Sequence, residues 1–314
     1  MVRQSQSKQS CRDSYGMTNN MKSLNNIQYR IVTLNRVEVF LYQQVFSLCS
    51  FFFTSIYYLC KKSQVPEISI ITPSYNSSKY LDETIASVLN QTFQDWEWLI
   101  TDDCSTDNSV EILEKQNDPR IKVFKAEKNG GAGHARNISL ENATGRFITF
   151  LDADDFWEPN FLEEMITFMK SENAELAYST YSRCDENLNP TIGDFEADTI
   201  VNFNNLLKTC RLSLLASMYD SKRVGKFYFP EGTKREDHVM WLELLKKIPQ
   251  GKPLKKTLSK YRMLPNSVSR NKSNIMKDQY LVYKDYMKFS TLKSLYYTAN
   301  WAFNGFIKYS KIFN

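Results

Sequence analysis

From Pro66 onward, short apolar runs alternate with stretches of helical spacing. Ile68–Thr72 has the pattern of a buried strand and is closed by a turn signal, Pro73-Ser-Tyr-Asn76. Leu81, Ile85, Val88 and Leu89 then recur on one helix face. Trp96–Thr101 predicts a second strand, Val110, Ile112 and Leu113 a second helix, and Ile121–Phe124 a third strand. The glycine-rich loop Asn129–Asn137 opens a third helix, and Phe147–Leu151 is a fourth strand. Strands and helices that alternate over short connections call for a mostly parallel sheet flanked by helices. In such a sheet, ligands bind at the carboxyl ends of the strands. Three predicted strand ends carry polar clusters: Thr72–Asn76, Asp102–Asp107 and Asp152–Asp155. They converge on one crevice.

Further on, Phe161, Leu162, Met165, Ile166 and Met169 mark a helix, with Glu158-Pro159 at its start. Leu176–Tyr181 reads as a strand, and a less regular region runs to Met218. Trp241, Leu244, Leu245 and Ile248 set a helix that Pro249 stops. Lys256–Met263 resembles a closing strand. Tyr280–Phe313 is helical in pattern, with tyrosines and Trp301 among lysines. That tail suits either a membrane–water interface or a helical cap on the domain.

The first 36 residues are polar and aperiodic, and disorder is expected there. Val39–Cys60 is apolar and aromatic, close to the roughly 20 residues that span a bilayer, but Gln43 and Gln44 interrupt it. It reads either as a marginal membrane segment or as part of an extension upstream of a working protein that begins near Val65. Three parts follow: an extension over 1–65 containing the apolar segment 39–60, an α/β domain over 66–270, and a basic aromatic tail over 271–314.

Composition narrows the function classes. A hydrophobic fraction of 42% supports a sizeable core. Six scattered cysteines make neither a disulfide framework nor a zinc site, which fits a reducing, cytoplasmic setting. The net charge of +5 sits at the ends: residues 1–36 carry +5 and 270–314 carry +6. An acidic middle argues against a nucleic-acid groove, and basic ends favour an anionic surface such as the inner face of the plasma membrane. Neither a Gly-x-Gly-x-x-Gly after the first strand nor a Walker loop is present.

The acids at the end of the fourth strand invite chemistry. Asp152 and Asp154 are alternate residues beyond an apolar run, with Asp155 beside them. Clustered carboxylates are hard to bury unless something neutralises them. A hard dication does so, and Mg²⁺ binds through one or two carboxylates plus substrate phosphates. The bland alternative is an acidic turn capping the next helix. Glu236 and Asp237, likewise, are by default dipole partners at a helix start.

The order of these signals resembles the family 2 glycosyltransferases, inverting enzymes with a GT-A (Rossmann-like) fold and of the bacterial cell-surface polysaccharide type. It runs through Ile70–Asn76, Ser87-Val-Leu-Asn-Gln-Thr92, Asp102–Asp107, Ala135-Arg-Asn137, Phe150–Asp155, and Arg235-Glu-Asp237 with Trp241. The resemblance covers about Pro66 to Arg270. It implies a nucleotide-sugar donor, usually a UDP-sugar, a glycan or lipid-linked acceptor, and Mg²⁺ or Mn²⁺. Pro73 and Tyr75 would line the base, Asp103 would accept from it, and Arg136 would lie near the ribose or diphosphate. Asp154 would hold the metal, with Asp152 on the metal, ribose or sugar. Asp237 matches the catalytic base; Glu236 and His238 are its competitors. The serines 267 and 269 with Arg270 would lie near the diphosphate and acceptor. Trp241 would pack beneath the acceptor sugar or serve the core. A sugar nucleotidyltransferase and a non-catalytic sugar-nucleotide binder are the alternatives. The first lacks its usual Gly-rich basic loop here, and the second predicts a damaged motif, whereas the main acids are all present.

Overall fold

The computed structural model describes residues 65–264 and 275–310, with side chains as far as residue 305. The expected disorder over 1–36, the apolar segment 39–60, and Ser267, Ser269 and Arg270 lie outside the described residues. From residue 65 on, the described chain forms one compact unit that takes in the tail.

The first half follows the predicted alternation: β1 (Ile68–Ser74), α1 (Ser78–Leu89), β2 (Trp96–Asp102), α2 (Ser109–Glu114), β3 (Ile121–Lys125), α3 (Ala132–Asn142) and β4 (Phe147–Phe150). Then come a two-residue strand β5 (Phe156–Trp157), α4 (Phe161–Ser171), β6 (Leu176–Cys184), α5 (Phe203–Leu206), β7 (Ser217–Asp220), α6 (Ser221–Val224), α7 (Glu236–Lys247) and β8 (Lys252–Arg262). The tail comprises α8 (Ile275–Leu281), a π-turn (Val282–Tyr286) and α9 (Thr291–Ser310). Pro159 does not open α4; Asn160 is the N-cap and Phe161 the first helical residue. Among the described residues no helix is long and apolar enough to cross a membrane.

The eight strands run in the order β3-β2-β1-β4-β7-β6-β8-β5. β1 pairs in parallel with β2 and β4, and β2 with β3, as the short crossovers require. The described sheet is mixed but mostly parallel, since β6 and β8 also pair in parallel and run with the first four strands, while β7 and β5 run against them. β7 enters antiparallel to β4 and β6, and β5 antiparallel to β8. Strand direction there is set by long irregular connections, which leave no trace in local periodicity.

β1, β2 and β4 are buried on both faces, which is why they read as unbroken apolar runs. Successive residues feed opposite cores. Ile70 packs with α1 and α4 through Leu81, Val88, Leu162 and Met165. Ile71, Leu99 and Phe150 pack on the other face with Leu140 of α3, Trp241 of α7 and Tyr283 of the tail. This second core fixes α3 and α7 over the carboxyl ends of the central strands.

Candidate active site

Beyond β1 and β2 the chain turns on two left-handed residues, Asn76 (φ 49°) and Cys104 (φ 66°). Asparagine tolerates that region better than most residues. The turns are tied together: the Asn76 N–H donates to Ser105 Oγ (2.9 Å), and Asn76 Oδ1 accepts from the Thr106 N–H (2.8 Å). The acids of the 102–107 cluster are spent on backbone. Asp102 accepts from the Ser105 N–H at 2.9 Å. Asp107 accepts from the backbone N–H of Ser78 and Ser109 at 3.0 Å each. Although partial burial opposes it, these donors hold its carboxyl down at about 2. Asp103 takes the N–H groups of Gly130 (2.9 Å) and Gly131 (2.7 Å) and so shapes the loop that opens α3. Gly131 stands there at φ 84°, a conformation for which glycine is suited. Tyr75 is exposed at the β1 tip, beside half-buried Pro73.

The acidic loop after β4 is clasped from both sides. From α1, the Thr84 hydroxyl donates to the Ala153 carbonyl (3.1 Å) and the Asp155 carbonyl (2.8 Å). From β8, Arg262 Nε donates to the Asp154 carbonyl (2.7 Å), and the Arg262 N–H donates to Asp155 Oδ1 (2.9 Å). The Arg262 guanidinium is buried, paired with Glu83 at 2.7 Å, and also donates to the Glu186 carbonyl. Burial first, then the neighbouring Asp152 charge, pushes the Asp154 carboxyl up to about 6. Burial, Asp154 and Asp152 push Asp155 well above the ordinary range. The cluster therefore carries more negative charge than its surroundings neutralise.

Arg136 joins this loop to the start of α7. It lies on α3, almost fully buried, with Nη2 2.6 Å from Asp152 Oδ1 and Nη1 3.6 Å from Glu236 Oε1. Burial works against its charge, but Asp152, Glu236 and Asp237 outweigh that and raise its pKa. Its Nε is buried without a partner among the described residues. The next residue, Asn137, grips the loop before α7: its side chain donates to the Phe229 carbonyl (2.8 Å) and accepts from the Phe229 N–H (2.7 Å). Gly133 lets the two elements approach, since a Cβ there would fall 3.2 Å from Glu236 Cγ. Burial raises the Glu236 carboxyl, with Arg136 opposing. Asp237 is half-buried and has no hydrogen bond or ion pair among the described residues.

The structure thus brings Arg136, Asp152, Asp154, Glu236 and Asp237 together. Two expected residues go elsewhere. Trp241 is fully buried, its ring edge-on to Phe150 at 6.1 Å, so it belongs to the core and not beneath a sugar. His238 is fully buried, with Nε2 3.2 Å from the Leu206 carbonyl and Nδ1 3.1 Å from Gln279 Nε2, so it cannot reach a substrate proton. Sequence reasoning missed Arg262, Thr84 and the grip of Asn137. Arg262 did not stand out because it is one of several basic residues along β8, with Lys252, Lys255, Lys256 and Lys260.

Among the described residues no three acids, histidines or cysteines form a ready-made metal cage. The donor set still fits a hard dication. One oxygen of Asp152 faces Arg136, and the Asp154 side chain meets only its own backbone N–H among the described donors. Two carboxylates completed by substrate phosphates are the usual Mg²⁺ arrangement.

A mixed α/β sheet with an acidic loop at a central strand end and a carboxylate pair facing it defines a glycosyltransferase of GT-A type. Comparison with known proteins bears this out. The model of glycosyl transferase family 2 matches residues 69–218. The chain is 37% identical over 248 residues to WfgD of Escherichia coli, a UDP-Glc:alpha-D-GlcNAc-diphosphoundecaprenol beta-1,3-glucosyltransferase, covering 77% of this chain and 95% of WfgD. It is 35% identical over 248 residues to TuaG of Bacillus subtilis, assigned as a teichuronic acid biosynthesis glycosyltransferase, covering 78% and 95%. The fold matches S. aureus TarS 1-349 in complex with UDP-GlcNAc (TM-score 0.61, 23% identity, 75% of this chain and 71% of that one). It also matches mannosyltransferase PcManGT of Pyrobaculum calidifontis in complex with GDP-Man and Mn²⁺ (TM-score 0.55, 15% identity, 76% and 72%). The protein belongs to the family 2 glycosyltransferases.

Proposed function

We propose that the protein moves a sugar, with inversion, from a UDP-sugar to a hydroxyl of a lipid-linked glycan during cell-surface polysaccharide synthesis, at the inner face of the plasma membrane. The observation that carries this reading is Arg136, which ties the acidic loop and the carboxylates of α7 into one pocket. Inverting transfer is a single displacement, so a base must take the acceptor proton as the hydroxyl attacks. Asp237 fills that role, because its carboxylate has no hydrogen bond or ion pair among the described residues, while Glu236 faces the Arg136 guanidinium. Burial raises the Glu236 carboxyl against the pull of Arg136, so position rather than basicity separates the two acids: Glu236 is engaged with the guanidinium that it helps to hold.

Asp152 and Asp154 would hold Mg²⁺ or Mn²⁺, which supplies Lewis-acid stabilisation of the leaving nucleoside diphosphate. Exposed Tyr75 offers a ring to the nucleotide base, with Pro73 beside it. Asp103 meets the base only with lone pairs left over from the two glycine N–H groups. Its main work is to hold the Gly130-Gly131 turn, and with it Arg136, in place. The relatives' named diphosphoundecaprenol acceptor motivates the lipid-linked acceptor here.

Asp237→Asn keeps shape and loses the base. Transfer should fall by about 10²-fold or more, the range of general-base removal, while UDP-sugar binding by calorimetry is unchanged. Wild-type turnover in this variant, or loss of donor binding, would remove Asp237 from the role.

A further inference from the structure

The last helix is packed the wrong way round for a protein surrounded only by water. At 100° per residue, Leu292, Leu295, Tyr296, Ala299 and Phe303 of α9 fall within an arc of about 100°. All five are exposed, Leu292 at 82% and Phe303 at 63%. The opposite face holds Ser294 and Thr298, both buried, with Tyr297 against Tyr283 and Trp301 under the Arg235 guanidinium. The inward face thus combines two buried hydroxyls with Tyr297 and Trp301, while the outward face carries a continuous stripe of exposed apolar side chains. The stripe is about 16 Å long and exposes on the order of 500 Å² of apolar side chain, near the upper end for a monomer's largest patch.

Charge selects the occupant. α9 has no Asp or Glu and carries Lys293 and Lys308. Lys288 is exposed just before it, and residues 270–314 have a net charge of +6. An apolar stripe flanked by lysines, without carboxylates, is complementary to a negatively charged lipid surface. We infer that α9 lies in the plane of an anionic phospholipid bilayer, with the Leu292–Phe303 stripe inserted at the headgroup level.

Seating α9 this way also orients the pocket, a step that rests on the function proposed above. Arg235, which stacks on Trp301 at 5.4 Å, directly precedes Glu236 and Asp237. The Tyr286 hydroxyl, from the turn before α9, donates to the Glu231 carbonyl at 2.8 Å. The base-bearing end of the site is thereby braced against the inner side of the helix that meets the lipid.

The test uses the full chain and co-sedimentation with vesicles of phosphatidylcholine alone or mixed with phosphatidylglycerol. The mixed vesicles should bind the protein. Leu295→Ser/Phe303→Ser should reduce that binding about tenfold, and Lys288→Glu/Lys293→Glu should reduce it and flatten its salt dependence. All four side chains are outside the site, so transfer to a water-soluble acceptor should persist in both variants. Equal binding of wild type and the serine variant overturns the proposal, including the case in which residues 39–60 alone supply attachment. So does equal binding to both vesicle types, or a wild-type dimer in sedimentation velocity that the serine variant dissociates without losing lipid binding. Loss of soluble transfer in wild type would count against the function and leave the lipid result standing.

Discussion

His238 makes acid a specific threat to this fold. It sits one residue beyond Asp237 and is fully buried. The neutral ring with its proton on Nε2 suits both neighbours, donating to the Leu206 carbonyl at 3.2 Å and accepting at Nδ1 from Gln279 Nε2 of α8 at 3.1 Å. Protonation would put a second hydrogen opposite the Gln279 amide and strand a charge in the core. Burial first, then repulsion from Arg235, lowers its pKa from 6.5 to about 4, with Asp237 and the two hydrogen bonds opposing. A depressed folded-state pKa means that the unfolded chain takes the proton first. Stability from this group is complete above about 6.5, declines as pH falls, and is lost by about 4. The gap is worth about 3 kcal/mol, a large part of the 5–15 kcal/mol of a typical domain. Buried acids with raised pKa values, Asp154, Asp155 and Glu236, shift stability the other way over part of this window. The measurement is therefore a double difference. Urea melts at pH 7.5 and 4.5 are compared between wild type and His238→Gln, whose amide can serve both neighbours without titrating. Wild type should lose about 2 to 3 kcal/mol more than the variant between the two pH values, most of the full gap because pH 4.5 is still just above the folded-state value. Identical losses would refute the argument, because every other titrating group is common to both proteins.

Arg262→Met removes the guanidinium clasp on the acidic loop while leaving the backbone donor to Asp155 in place. The donor KM should rise about tenfold with a smaller change in kcat, and Arg262→Lys should recover part of it; an unchanged KM in the methionine variant would make Arg262 purely a packing residue. Stripping divalent cations with EDTA should weaken UDP binding at least about tenfold, with Mn²⁺ restoring it, and Asp154→Asn should abolish the restoration without lowering the thermal midpoint.

The elements that could be read from sequence are those whose environment is uniform along the chain. β1, β2 and β4 are buried on both faces, so each shows as an apolar run. α1, α4 and α7 bury one face, so each shows the helical period. Asp152 and Asp154 stand out because they follow directly on one of those strands, whereas Arg136, Glu236 and Asp237 lie on helices and are picked out only by the order of motifs. What could not be read depends on partners far away in the chain. Arg262 meets Asp154 across 108 residues, and Asn137 meets Phe229 across 92. Trp241 obeyed the helical period, and periodicity places it on the inner face without saying whether that face meets core or ligand. The same blindness hid the reversed face of α9, whose pattern of tyrosines and lysines fits either a cap or a membrane surface until its neighbours are known.

The pocket's charge balance explains why these parts must be held so firmly. Among the described residues, Asp152, Asp154, Asp155, Glu236 and Asp237 raise one another's charge cost, and the guanidiniums of Arg136 and Arg262 oppose that. Carboxylates so placed repel, and left to themselves the loop after β4 and the start of α7 would move apart. The backbone donors and the Thr84, Arg262 and Asn137 clasps oppose that motion, and Arg136 spans the gap with one group. A nucleoside diphosphate adds further negative charge to the same crevice. An acidic pocket that receives an anionic donor therefore requires positive charge to arrive with it, and the carboxylates least engaged by the protein, at 152 and 154, stand where that charge would be needed.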